Sequence, residues 1–173
     1  ARQITRHLIE LGHRNIAFLK GPRNMKTSQN RFDGFLDMMR ESRIQVDDTQ
    51  IIESEFTFDG GSNAIQLLMQ KKNHPTAVFA GNDESAYGVV FGAQRLGLNI
   101  PGDLSVAGFE DQIYSGRIFP GLTTYHLPAD ELLLEAARYL ISILSNDSNS
   151  TNIRKVNGNL VVRGSTAPPP SNL

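Results

Sequence analysis

Cysteine is absent from the 173 residues, which excludes a disulfide framework, a thiol nucleophile and cysteine-ligated zinc. Neither sign of charge is in excess: 17 Lys+Arg face 18 Asp+Glu, a formal net charge of −1. That balance argues against a chain that binds nucleic acid through a strong general positive field. No apolar run approaches the roughly 18 residues of a membrane-spanning helix. The opening stretch, ARQITRHLIELGH, is charged and amphipathic, without the apolar core of a signal peptide. Position 1 is not Met, so a fragment of a longer protein is expected. Catalytic templates are also missing: there is no GxSxG elbow, no HExxH and no Walker A loop. His7, His13, His74 and His126 do not stand at metal-ligand spacing, so neither a metal nor a cofactor is expected. His13 and His74 read as helix-end residues that complement the dipole. The paired carboxylates Asp83/Glu84 and Glu110/Asp111 lack a nucleophile or metal to work with, and no enzyme is expected.

What is present is an ordinary globular balance, 39% apolar and 20% charged, in a chain long enough to bury a core. Helix-like and strand-like segments alternate. Ile4, Leu8 and Leu11 recur at helical spacing before Gly12, and the apolar run Asn15–Lys20 ends in Gly21-Pro22. A helix is expected from about Ser28 to Arg43, a strand over Ile51–Phe56 and a loop over Thr57–Gly61. A helix through Ala64–Met69 follows, then the strand Thr76–Ala80, a helix opened by Asp83 and closed by Gly97, and the strand Leu104–Phe109. This rhythm predicts an α/β fold: a doubly wound, mostly parallel sheet with helices on both faces. After Phe109 it changes. A β-prone Leu122–Tyr125, an amphipathic helix over Ala129–Leu144, a polar loop with sequons at Asn146 and Asn149, and a last strand Asn159–Arg163 lead to a proline-rich tail.

Ligands of open parallel sheets bind beyond the carboxyl ends of the strands. The residues there are a polar stretch to Thr27 leading to Arg31, then Phe56, then Gly81, Asn82 and Asp83, then Glu110 and Asp111. A guanidinium fork, an aromatic face, an amide and carboxylates suit a small polyhydroxylated or otherwise polar ligand. Each has a plainer alternative. Asn82 and Asp83 could cap the next helix, Arg31 could pair with Asp33 or Glu41 on the surface, Phe56 could be core, and Glu110-Asp111 could be a solvated turn.

Six stretches, in order, resemble the lactose-repressor (LacI/GalR) family of bacterial transcription regulators: LIELGHRNIAFLKGP, RFDGF, PTAVFAGNDESAYGV, LGLNIPGDLSVAGFED, PGLTTYHLP and LVVRGSTAPP. The match is with the C-terminal half of the effector-binding core, which has the periplasmic-binding-protein type I fold of two hinged subdomains around a cleft. The resemblance implies a C-terminal effector-binding subdomain over residues 1–121. Residues 122–158 would be a crossover plus a helix of the N-terminal subdomain, and residues 159–173 the returning strand and tail. The helix Ala129–Leu144 would then lack its usual partner, and its face of Leu133, Leu140 and Leu144 is expected to pack on a second chain, to be swapped, or to be poorly ordered. Thr27, Arg31, Phe56, Asn82 and Glu110 match effector-contacting positions. Glu110 stands where the family usually has Asp, and Met25 stands where some relatives are polar or basic.

By the same resemblance the parent protein is a cytoplasmic, homodimeric regulator, a repressor in kind. It responds to a sugar or sugar derivative and meets DNA only through an absent N-terminal headpiece. With half a cleft, this chain alone is expected to hold an effector weakly. The alternative is a solute-binding protein of a sugar transporter, which shares the fold; an α/β enzyme is a third reading.

Overall fold

The computed structural model describes residues 1–145 and 155–170; the sequons at Asn146 and Asn149 lie outside them. Strands β1 (Ile16–Lys20), β2 (Ile51–Glu53), β3 (Ala77–Ala80) and β4 (Ser105–Ala107) form a parallel sheet in the order β2-β1-β3-β4. Helices α1 (Arg2–Glu10), α2 (Lys26–Glu41), α3 (Phe58–Met69) and α4 (Asp83–Arg95) alternate with them.

Strands β1, β3 and β4 are buried on both faces, and their side chains alternate between two cores as the pleat requires. Ala17, Leu19, Val78 and Val106 face α3 and α4, where Ile65, Leu68 and Val89 meet them. Ile16, Phe18, Phe79 and Ala107 face α1 and α2, where Ile4, Leu8, Phe35 and Met39 meet them. Gly12 at φ +105° and Gly97 at φ +78° take the left-handed conformation that ends α1 and α4.

The strand expected over Leu104–Phe109 narrows to Ser105–Ala107 and that over Asn159–Arg163 to Asn159–Val161, and two further boundaries shift. The segment Thr57–Gly61 is not a loop: Thr57 caps α3 by accepting from the Gly60 N–H at 3.0 Å, and the helix runs from Phe58. Strand β2 stops at Glu53: the Ser54 N–H makes the last bond to β1, at the Lys20 carbonyl, and Glu55 and Phe56 then enter left-handed backbone.

Strand β5 (Thr124–His126) runs alongside the end of β4: Gly108 N–H donates to Thr123 O and Glu110 N–H to Tyr125 O, both at 2.9 Å. Strand β6 (Asn159–Val161) pairs antiparallel with β5. Between them stands α5 (Ala129–Leu144), none of whose residues is buried; Leu133 and Leu144 are 69% and 85% exposed. Among the described residues no helix is long and apolar enough to cross a membrane.

His13 does not complement a helix end, as the sequence suggested. It is buried, with Nε2–H donating to Ala167 O at 2.8 Å and Nδ1 2.8 Å from the Thr76 hydroxyl, so it ties the tail to the sheet. Burial holds its pKa below the usual imidazole range, and burial does the same to His7. The unfolded chain therefore takes up protons below about pH 6.5 that the folded chain refuses. The contribution of these two histidines is full above that pH and declines as the pH falls toward the lowered folded values. Burial raises the Asp83 carboxyl instead; its contribution has the opposite sign and lies in the carboxylate range. Urea midpoints are expected to drop between pH 7 and pH 5.5, and a flat profile there would contradict this account.

Candidate functional site

The chain moves to one side of β1 to form β2 and to the other side to form β3, so the crevice opens beyond the carboxyl ends of β1 and β3. Gly21 and Gly81 stand there, and the ring of Phe56 lies on both. A methyl at Gly21 would clash with the ring, and one at Gly81 would stand 2.8 Å from it and 2.8 Å from the Leu19 carbonyl oxygen. Phe56 is neither a core residue nor free of the sheet; it is half-buried over the two glycines.

Arg31, one turn into α2, reaches this edge. Its Nη1 donates to Gly81 O at 2.6 Å, and its Nη2 donates to Glu110 Oε1 at 3.1 Å. The guanidinium carbon lies 4.3 Å from the Phe109 ring centre and 5.4 Å from that of Phe56, within cation–π range of both. Its side chain is only 12% exposed. Arg31 therefore does not pair with Asp33 or Glu41; Gln29 donates to Asp33 and Arg2 pairs with Glu41.

Asn82 is the cap of α4: its Oδ1 accepts from Ser85 N–H at 3.0 Å, and its Nδ2 donates to Phe56 O at 3.0 Å. One amide hydrogen is left for a ligand. Asp83 is not the cap. It is fully buried and accepts from the Ser115 and Thr124 hydroxyls at 2.6 Å each and from Gln112 N–H at 2.8 Å, bracing the loop after β4. Thr27 is exposed one turn before Arg31, and no hydrogen bond joins it to the cluster among the described residues. The structure thus brings Arg31, Phe56, Asn82 and Glu110 together and leaves Thr27 at the rim. Phe109, unmarked in the sequence reading, completes the group; its signal was an aromatic at the very end of an apolar strand.

Five described non-glycine residues have positive φ, and four of them, Glu55, Phe56, Glu110 and Asp111, lie on this edge. Such strain costs on the order of 1–3 kcal/mol per residue and persists where the surroundings over-determine it, which is typical of ligand sites. Among the described residues no group of three His, Asp or Glu could hold a metal ion.

The doubly wound sheet carries a polar, aromatic-lined cluster at its switch point, and residues 5–166 match the family described as Periplasmic binding protein-like domain. The HTH-type transcriptional repressor PurR of Proteus mirabilis is 37% identical over 166 residues, 95% of this chain and 48% of that protein. A LacI family transcriptional regulator from Mycobacterium smegmatis superposes with a TM-score of 0.87 at 34% identity, over 95% of this chain and 62% of that one. The transcriptional regulator CelR, solved with cellobiose, gives 0.88 at 28% identity, over 95% of this chain and 50% of that one. The chain belongs to the LacI/GalR family, as a part of its effector-binding domain. It spans about half the length of the curated relatives it matches. Those relatives are named as transcriptional repressors, not enzymes or transporter components.

Proposed function

We propose that the chain is the ligand-sensing part of a cytoplasmic transcriptional repressor and that its effector is a neutral sugar or sugar derivative. The observation that carries this is the Arg31 cluster. Arg31 presents a fork and two flanking rings, but its charge is already matched by Glu110. Hydroxyl groups can exchange for either partner, and a sugar's apolar face suits Phe56. An anionic effector would have to expel Glu110 and would find Met25, exposed and without a side-chain cap bond, at the start of α2. Cellobiose in CelR supports a saccharide.

In this reading residues 1–121 form the C-terminal subdomain, 122–158 cross to an N-terminal subdomain that covers α5, and 159–173 return. The protein acts as a homodimer through exposed apolar residues such as Ile113, Tyr114 and Phe119, and reaches DNA through a separate headpiece. The effector shifts the balance between two hinge states only by its differential affinity for them.

A thermal-shift panel of neutral sugars and sugar phosphates on the intact protein tests the reading. At a hundredfold excess over Kd a neutral sugar stabilises by about 2.7 kcal/mol, several degrees in Tm. Stabilisation by sugar phosphates alone would overturn the neutral-ligand assignment.

A further inference from the structure

Asp111 follows Glu110 in the left-handed loop, yet its carboxylate is engaged away from Arg31, on the two strands that lead into and out of residues 127–158. Its Oδ1 accepts from Arg163 Nη2 at 2.7 Å, and its Oδ2 lies 3.1 Å from His126 Nδ1. His126 ends β5, and Arg163 stands two residues past the end of β6. Arg163 is anchored on the residues that lead into β5: Nη1 donates to Leu122 O at 2.8 Å, and its backbone N–H donates to the Thr123 hydroxyl at 2.9 Å. The loop is held from the other side as well. Gln112 N–H donates to Asp83 Oδ2 at 2.8 Å, and Gln112 Nε2 donates to Glu110 Oε2 at 2.9 Å.

Glu110 at φ +124° and Asp111 at φ +59° are conformations that side chains other than glycine hold only under constraint. The Asp111 and Arg163 side chains are 15% and 25% exposed, so solvent screens the pair less than a surface one. The geometry points to Arg163 as a positioning residue for the effector site: it fixes Asp111, and through Asp111 the strained backbone that carries Glu110 to Arg31. A shift of β6 against β5 is then felt at Glu110, which couples the strands entering and leaving residues 127–158 to the ligand edge. The importance of this for sensing rests on Glu110 being a ligand contact; the tether itself does not.

The test is NMR on the protein with no ligand added, comparing Arg163→Gln, Asp111→Asn and the double variant. Asn tolerates left-handed backbone, so Asp111→Asn removes the charge and little else. Each single variant is expected to speed exchange of the Glu110 and Gln112 amides at least tenfold and to shift the Arg31 side-chain Nε–H resonance. The double variant should add nothing beyond the larger single effect, and amides of β1 and β3 should keep their rates. Unchanged exchange at 110–112, or an equal rise across the whole sheet, would overturn the proposal. A local change as expected, in a protein that no sugar of the panel stabilises, would instead sink the reading of the cleft.

Discussion

Gly88→Ala is expected to destabilise the protein by a net of about 2 kcal/mol and to loosen the ligand edge with it. Gly88 lies mid-way along α4, where α4 crosses α3 with no side chain between them. A methyl group there would meet the Phe58 carbonyl oxygen, would lie 2.8 Å from the Phe58 carbonyl carbon, and 2.9 Å from Ser62 N. All three are backbone atoms, so no rotamer change relieves the clash and the helices must separate. Overpacking of this kind costs roughly 1–3 kcal/mol, occasionally more, and the fixed backbone places Gly88 at the upper end. Alanine recovers about 1 kcal/mol through helix propensity. The same contact recurs in reverse, since a methyl on Gly61 would strike the Ser85 carbonyl oxygen. Both helices begin at the candidate site, α3 behind Thr57 and Phe56, and α4 behind Asn82. Separating them pulls Asn82 away from Phe56 O. Urea unfolding measures the loss. Gly102→Ala is the control, because its methyl would find only Asn99 Cβ at 3.7 Å; equal midpoints for the two variants would refute the argument.

The same glycines show why part of the fold was hidden in the sequence. Contiguous apolar runs gave β1 and β3, helical spacing gave α1, α4 and α5, and Gly12 and Gly97 marked helix ends, because each signal is local. Asp59-Gly60-Gly61 read as a loop for an equally local reason. Gly61 serves a tertiary demand, the close approach of α3 to α4, and Gly60 the close approach of the Ser54 carbonyl, and no propensity reports either. The site divides similarly. Its strand-end positions followed from topology alone, and the resemblance selected Thr27, Arg31, Phe56, Asn82 and Glu110, of which all but Thr27 come together. Their partners did not follow. Arg31 and Glu110 are 79 residues apart, so a local reading sent Arg31 to its neighbours Asp33 and Glu41. Arg163 gave no sign that it would close on Asp111 from the far end of the chain. Left-handed backbone at Glu55, Phe56, Glu110 and Asp111 leaves no trace in residue type.

Arg31→Gln is expected to weaken binding of the best-stabilising sugar about a hundredfold while leaving the fold intact. The side chain belongs to neither apolar core; what it contributes is a charged fork fixed by Gly81 O and Glu110 and flanked by Phe56 and Phe109. A hydrogen bond from a charged donor contributes about 1.5–3 kcal/mol, and Arg31→Gln removes that donor from the ligand edge. A loss near 2.7 kcal/mol is about a hundredfold in Kd. Arg31→Lys should not restore affinity, because one ammonium cannot reproduce two donors set at a fixed angle between two rings. Glu110→Gln separates the roles. It keeps the shape and a hydrogen-bonding acceptor for Arg31 but frees the positive charge, so it should weaken the neutral sugar and strengthen the matching sugar phosphate. Calorimetric titration of the three variants with both ligands decides the matter. Wild-type affinity in Arg31→Gln would remove Arg31 from the site. An unchanged ratio of the two affinities in Glu110→Gln would show that the Arg31–Glu110 pair does not set ligand charge.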